Sequence, residues 1–189
     1  MTNLAERDLT TESKGERTRR RILEIAIERF GERGYRATSV SEIARAAGLT
    51  RAASYAYFDS KESLFQAAVD ADAEGLISDV AAQAQGVPID ALIPSVIVYA
   101  VMGLADHPLA RRVLAGQEPD EIPRLVELPS VRLFGDLIGE QLHLAQLRGE
   151  VRQDLEPAVL AAGIESLVMG LLFTAVQTGS GAVLVSVSG

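Results

Sequence analysis

The stretch SVSEIARAAGLTRAASYAYF, residues 39–58, contains two short helical segments separated by a glycine. Within residues 40–47, apolar side chains recur at i, i+3, i+4 and i+7, the spacing of one face of an α-helix. Ser39 and Glu42 have the S-x-x-E spacing of a capping box at a helix N-terminus. Gly48 permits a tight turn between the two segments. This layout predicts a helix-turn-helix.

Helical patterns continue on both sides of this stretch. The upstream helix ends where Gly34 can adopt the left-handed cap conformation, and Asp59 with Ser60 caps the downstream helix. Strand signals are nearly absent before the β-like tail, residues 182–189, to which we assign no role. The sequence therefore predicts an all-α fold. The predicted helices are 18–34, 39–48, 51–58, 61 towards 84, 91–105, 109–115, 130–148 and 157–177, with Gly- or Pro-containing breaks at 86–88, 107–108 and 116–129.

Composition excludes several classes of protein. The chain has 189 residues, of which 48% are hydrophobic, so it can bury a sizeable core. The absence of cysteine removes disulfides, thiolate zinc sites and cysteine nucleophiles, and only two histidines are present. We therefore predict no metal site and no cofactor. Residues 1–15 lack the apolar core of a signal peptide, which predicts a cytoplasmic protein associated with the nucleoid.

The charge is distributed unevenly along the chain. The net charge of −8 and the pI near 4.8 argue, taken whole, against binding to nucleic acid. Residues 1–65, however, hold 12 Lys and Arg against 10 Asp and Glu, a net of +2. Residues 66–189 hold 6 against 16, a net of −10. Two modules are predicted: a DNA-binding domain at 18–65, preceded by a flexible basic arm at 1–17, and a helical regulatory domain at 66–189.

The second helix of a helix-turn-helix lies in the DNA major groove, with its first residues at the base edges. Arg51 can reach guanine O6 and N7, and small neighbours let the helix approach closely. Tyr55 can donate to a phosphate, and Lys61 lies at a helix N-terminus that favours anions. Lys14 and the arginines at 17–21 form a basic run that can contact the DNA backbone or minor groove, although such arginines alone are typical of a solvated helix face. The predicted DNA-binding residues are Thr38, Ser39, Thr50, Arg51, Ala52, Ala53, Tyr55 and Lys61; we expect Tyr57, Phe58 and Phe65 to be core.

Five separated segments resemble the N-terminal domain of TetR-family repressors. They are TRRRILEIA (18–26), FGERGYRATSV (30–40), EIA (42–44), AGLTR (47–51) and YAYFDSKESLF (55–65). Ser54 and Ala56 depart from the family, which usually has a large apolar residue at the first and His or Trp at the second. Beyond residue 65, only GEVRQDLEP (149–157) is similar. The resemblance implies a repressor released from a palindromic operator by a small molecule that moves the fourth helix.

The C-terminal region is predicted to bind that small molecule. Pockets between helices need apolar walls with a few polar anchors, so we expect a largely apolar ligand. Each candidate is by itself more often a structural residue. The candidate lining residues are Tyr99, Met102, His107, Phe134 and His143.

The last predicted helix, 157–177, carries a single charge, Glu165. Its length is close to that of a membrane span, but a charge near the centre of a bilayer costs about 2.5 kcal/mol or more. A homodimer interface explains the helix better, and the resemblance implies that the last two helices pair into a four-helix bundle. This pairing places two recognition helices at half-sites about 34–36 Å apart. The predicted interface residues are Leu160, Ile164, Leu167, Val168, Leu171, Leu172 and Ala175.

The sequence leaves two alternatives to a DNA-binding regulator: a small helical enzyme and a membrane-associated helical adaptor. A small helical enzyme finds little support, because the sequence shows no catalytic triad order, no carboxylate–histidine cluster and no phosphate-cradling glycine loop. We therefore predict that the chain is not an enzyme. A membrane-associated helical adaptor would use residues 157–178 as its anchor. The sequence names neither the ligand nor the operator.

Overall fold

A computed structural model of the chain describes residues 13–178, and this part is built of α-helices without β-strands. The predicted all-α fold is confirmed, and the β-like tail lies outside the described residues. The helices are α1 (Lys14–Ala37), α2 (Val40–Ala46), α3 (Arg51–Ser54), α4 (Lys61–Ala84), α5 (Ile89–Gly103), α6 (Pro108–Leu114), α7 (Ile122–Val126), α8 (Pro129–Leu147) and α9 (Pro157–Gln177), with a 3₁₀ turn at Pro119–Glu121.

Helix α1 begins four residues before the prediction. Ser13 and Glu16 form a reciprocal capping box, in which Ser13 Oγ accepts from the Glu16 amide at 3.2 Å and the Ser13 amide donates to Glu16 Oε2 at 2.7 Å. Residues 14–17 are thus helical, and the other residues of the predicted arm, 1–12, lie outside the described part. At the other end, Gly34 interrupts the helical backbone where the helix was predicted to stop, but its φ of +80° and ψ of 172° are not the left-handed cap conformation that was expected.

The helix-turn-helix has the predicted order with shorter elements. Gly48 adopts φ +77° in the turn between α2 and α3. Ser39 is the N-cap of α2, but its Oγ accepts from the Ser41 amide. The side chain of Glu42 instead pairs with Arg33 at 3.4 Å, so the predicted capping box is not formed. Helix α3 ends at Ser54, and turns rather than helix continue towards residue 58.

One buried apolar cluster extends from α1 and α2 into the helical region from residue 66 onwards, here called the body. Phe30 packs against Phe65 and Tyr35, with ring centroids 4.9 Å and 6.3 Å away. The same cluster continues through α4, α5, α6 and α9 as far as Leu172. Helix α4 belongs to both parts, because its first turn lies beside the helix-turn-helix and its later turns pack on α5 and α8.

The segment 116–129, predicted as a break, contains the 3₁₀ turn and α7. Prolines lie in the first turn of each, where a missing amide hydrogen leaves no intrahelical bond unmade. Leu125 and Leu128 are buried, so this segment covers part of the core. Arg124 fastens it to α4 through two bonds of 2.6 Å to Asp70.

Helix α9 is long and apolar enough to cross a membrane by length and composition, with a mean hydropathy of 2.0. Inside the folded chain only 17% of its most apolar window is buried. Helices α5 and α6 pass the same test only as a pair, and they are bent by 110°. A large apolar face of α9 is therefore not covered by this chain's own described residues.

Candidate nucleic-acid interface and ligand cavity

The N-terminus of α3 presents Arg51 and Tyr55 together. Thr50 caps the helix by accepting from the Ala53 amide at 3.1 Å. Arg51 is exposed, and its Nη2 donates to the Tyr55 hydroxyl at 3.3 Å. The Arg51 guanidinium also lies 5.8 Å from the centre of the Tyr55 ring. The two predicted contact residues therefore form one exposed polar unit, one helical turn apart.

Small residues surround this unit. Ala52 is exposed and Ala53 is half-buried. Their methyl side chains project only a short distance from α3, so another molecule can approach the helix closely beside Arg51. Ser54, one of the departures from the family pattern, is buried, and its hydroxyl donates to the Arg51 carbonyl at 2.7 Å. This bond satisfies a polar group where an apolar residue is usual. Phe58 and Phe65 are buried, which confirms their assignment to the core.

Ser39 and Lys61 flank α3 at the starts of α2 and α4. Ser39 is exposed at the α2 N-cap. Lys61 is half-buried, and its Nζ lies 4.5 Å from the centre of the Tyr35 ring and 3.5 Å from the Arg36 carbonyl oxygen. The aromatic face and the carbonyl hold the ammonium group at the helix N-terminus. Its charge is therefore positioned where a phosphate would also meet backbone amides.

Thr38 differs from the other predicted contacts. It is only 3% exposed, and its hydroxyl donates to the carbonyls of Gly34 at 2.8 Å and Arg29 at 3.1 Å. The Thr38 hydroxyl thus gives a hydrogen-bond donor to carbonyl groups near the end of α1, where the last carbonyls lack helical partners. Its side chain therefore faces the interior, and we leave it out of the proposed interface.

A junction between α1 and α6 connects this interface to the body. Glu118 Oε1 accepts from both Arg112 Nε and the Tyr35 amide at 3.0 Å. A Cβ at Gly31 would lie 2.8 Å from Pro108 Cβ, which shows how closely the two helices approach. The beginning of α6 thus touches α1 directly.

Asp72 holds α6 against α4. This buried carboxylate accepts from the amides of Leu109 and Ala110 at 2.8 Å and lies 3.0 Å from His107 Nδ1. His107 Nε2 lies 3.3 Å from Asp79, two turns further along α4. A carboxylate at a helix N-terminus is stabilised by the free amides there. No sequence pattern indicates this arrangement, since the partners are 35 to 38 residues apart.

An apolar cavity of about 100 Å³, here called the inner cavity, lies in the body. Glu165 is the single ionisable residue in its lining. Helix α6 contributes Ala110 and Leu114 to the wall, so the same helix meets the inner cavity and α1. The full lining is Ala73, Leu76, Ile77, Val80, Val96, Ala100, Ala110, Leu114, Leu125, Leu128, Val131, Phe134, Ile138, Glu165, Val168, Met169 and Leu172.

The inner cavity includes one of the five predicted ligand residues, Phe134. Tyr99 packs on the core outside its lining, and Met102 is 57% exposed. His107 is held by Asp72, and His143 is exposed in a groove between α8 and α9. The predicted residues are therefore not brought together. The residues that form the wall are ordinary aliphatic core residues, which no sequence motif distinguishes.

The predicted interface residues of α9 divide into two sets. Leu167 is 55% and Leu171 36% exposed, while Leu160 and Ile164 are half-buried. Val168, Leu172 and Ala175 are buried in this chain's own core, and the first two line the inner cavity. These three therefore cannot lie on a surface shared with a second copy. Outward-facing apolar residues on α8, which were not predicted, extend the exposed set: Leu133, Leu137, Leu144 and Leu147.

No group of His, Asp and Glu residues suited to a metal ion is found among residues 13–178. Asp72 is held by backbone amides, and Asp70 and Glu150 are held by arginines. Burial raises the pKa of Glu121 beside α7, an effect that Arg124 opposes.

Comparisons with known proteins agree with this geometry. The family model described as "Bacterial regulatory proteins, tetR family" matches residues 22–68, from the first core residue of α1 into α4. The transcriptional regulator UidR of Escherichia coli K12 is 23% identical over 163 residues, covering 85% of this chain and 83% of UidR.

Two solved structures share the fold. The fatty acid degradation regulator FadR from Bacillus halodurans has a TM-score of 0.68 at 18% identity, and the match covers 94% of each chain. The structure of AibR in complex with isovaleryl coenzyme A and operator DNA has a TM-score of 0.55 at 19% identity, covering 88% of this chain and 97% of AibR.

Proposed function

This chain belongs to the TetR family of bacterial regulatory proteins, and we propose that it is a homodimeric repressor released from a palindromic operator by a small apolar ligand. As a TetR-family protein it is a DNA-binding transcriptional regulator. Dimerisation, the ligand and the direction of its effect are our proposals. We place the protein in the cytoplasm, where its DNA lies, and assign it no catalytic role.

The observation that carries the DNA-binding proposal is the exposed unit of Arg51 and Tyr55 at the N-terminus of α3. Arginine is suited to guanine because its guanidinium matches O6 and N7 in one plane. Ser39 and Lys61 lie at the starts of the flanking helices, where they can hold phosphates on either side. We propose that Thr50, Ala52 and Ala53 complete the interface.

The homodimer proposal rests on the uncovered apolar faces of α8 and α9. Leu133, Leu167 and Leu171 are between 36% and 61% exposed, and they lie on two adjacent packed helices. Large apolar side chains exposed on two packed helices mark an interaction site. A second copy would cover it through a two-fold axis and would place two α3 helices on one face of the DNA.

Ligand response is proposed because α6 joins the inner cavity to the DNA-binding part. Ala110 and Leu114 line the inner cavity, while Pro108 and Arg112 of the same helix contact α1. A ligand that enlarges the inner cavity must displace one of its walls. Displacement of α6 would tilt α1 and change the distance between the two α3 helices of a dimer.

The experiment is selection of genomic fragments by the purified full-length protein, followed by sequencing. We expect a palindrome whose half-sites are about 10 base pairs apart, or a multiple of one helical turn. Recovered fragments without a shared motif would contradict the proposal. If a shared palindrome is found, the genes beside the recovered fragments would restrict the class of ligand.

A further inference from the structure

The inner cavity is small for a regulatory ligand. Its volume is about 100 Å³, whereas ligand pockets commonly have about 300–1,000 Å³. An apolar cavity of about 150 Å³ holds one benzene ring. If the proposed ligand response is correct, on which this inference rests, any ligand larger than a single ring must extend beyond the inner cavity.

Two grooves adjoin the inner cavity through shared residues. The α8–α9 groove shares Glu165 with it and is otherwise lined by small or charged residues, among them Arg132, Asp136 and Glu156. This groove lies between the two helices whose apolar faces we assign to the dimer. A second copy would therefore restrict access from that side.

The other space, the α4–α8 groove, has a volume of about 420 Å³ and shares Phe134 and Ile138 with the inner cavity. Its remaining walls are mainly apolar and include Ala81, Ala84 and Leu92. Phe134 and Ile138 thus border both apolar spaces. A rotation of the half-buried Phe134 ring would open one to the other.

The α4–α8 groove continues into an outer groove of about 590 Å³, with which it shares Val87, Leu92 and Gln141. The outer groove carries the charged side chains of Asp90, Arg148 and Glu150. Arg148 donates to Glu150 through two bonds of 2.8 and 2.9 Å, which hold the pKa of that carboxyl below its usual range. Polarity therefore increases steadily from the inner cavity to the surface.

We propose that the ligand is a single-chain amphiphile. The end of its hydrocarbon chain occupies the inner cavity, the rest passes Phe134 and follows the α4–α8 groove, and its polar head stays among the charged residues of the outer groove. A narrow chain suits this route, because the side chains of Phe134 and Ile138 line both spaces. A bulky or polycyclic ligand would not pass there.

The test uses 1-hexanol, 1-octanol and 1-decanol as probes, with binding to the full chain measured by titration calorimetry without DNA. Each methylene group taken from water strengthens binding by about fourfold. We expect the Kd to fall about a hundredfold or more from 1-hexanol to 1-decanol. A Kd that stops falling at 1-hexanol, or no binding of any probe, would overturn the proposal.

Ala84→Trp fills the α4–α8 groove, and Ala82→Trp is its matched control, because Ala82 lies on the same helix, is exposed and lines none of these spaces. We expect Ala84→Trp to weaken the binding of 1-decanol at least tenfold more than it weakens that of 1-hexanol, with Ala82→Trp unchanged. Parent-like binding of 1-decanol by Ala84→Trp would refute the route. Operator binding of the same variants without alcohol tests the DNA proposal separately.

Discussion

Gly34 and Gly48 both have a positive φ, +80° and +77°, but Gly34 combines it with ψ 172°, a backbone conformation essentially restricted to glycine. A Cβ at Gly48 would meet nothing within 4 Å, whereas one at Gly34 would collide with Arg112 and Glu118. The left-handed conformation alone costs a non-glycine residue about 1–2 kcal/mol. Gly48→Ala should therefore lower the free energy of unfolding by about that amount, and Gly34→Ala by distinctly more. Urea denaturation measures both, and equal losses would show that the α1–α6 junction does not restrict Gly34.

Asp72 and Asp79 provide a second matched pair. Both approach His107, but Asp72 is buried and also accepts from two amides of α6, whereas the Asp79 side chain is 64% exposed. Leaving a buried donor without a partner costs about 1–3 kcal/mol. We expect Asp72→Ala to lower the free energy of unfolding by at least about 2 kcal/mol and Asp79→Ala by less than about 0.5 kcal/mol. Similar losses in thermal or urea unfolding would contradict the assigned role of Asp72.

Individual residues were predictable only where local chemistry decides their place. Gly48, Ser39 and Thr50 lie at a turn or a cap, and the structure has them there. Thr38 was expected to face DNA, but the interruption of α1 at Gly34 turns its hydroxyl inwards. Asp72 could not be found, since its partners are distant in sequence and an aspartate on a helix is normally solvated.

The homodimer proposal can be tested by a substitution on helix α9. Leu167 on α9 and Met102 on α5 are similarly exposed, at 55% and 57%, but only Leu167 lies on the proposed interface. Burying two symmetric carboxylates without partners disfavours association. Leu167→Glu should therefore give monomers in analytical ultracentrifugation at concentrations where the parent and Met102→Glu are dimers. Monomeric parent protein, or a dimeric Leu167→Glu, would contradict the assignment.

The long helices were predictable because their apolar periodicity persists over many turns. The bounds of α9 agree with the prediction at both ends, and those of α4 agree as well. The shortest elements, α3, α7 and the 3₁₀ turn, were not predictable in this way, since three to five residues carry little periodicity. In segment 116–129 the prolines were interpreted as a break, yet they occupy the first turns of the 3₁₀ turn and α7. The lining of the inner cavity could not be predicted, because it depends on which core side chains leave a gap.

Over the whole molecule, the uneven charge decides which face approaches DNA. The acidic body, at −10, repels phosphates, so contact is restricted to the end that carries α3. Each phosphate neutralised by a cation changes the slope of log affinity against log salt by about −0.9. Lys61→Gln should reduce the magnitude of this slope by about one unit and weaken all DNA sequences alike. An unchanged slope in fluorescence anisotropy would remove Lys61 from the interface.

The central claim is that Arg51 at the start of α3 reads the operator. The decisive measurement is the affinity of Arg51→Ala for the selected operator, by fluorescence anisotropy, with Arg111→Ala as a control because that exposed arginine lies on α6 in the body. A bidentate arginine–guanine contact is worth about 1–3 kcal/mol. We predict that Arg51→Ala binds about 5- to 150-fold more weakly while remaining in the oligomeric state of the parent, and that Arg111→Ala binds like the parent. Parent-like operator binding by Arg51→Ala would contradict the account.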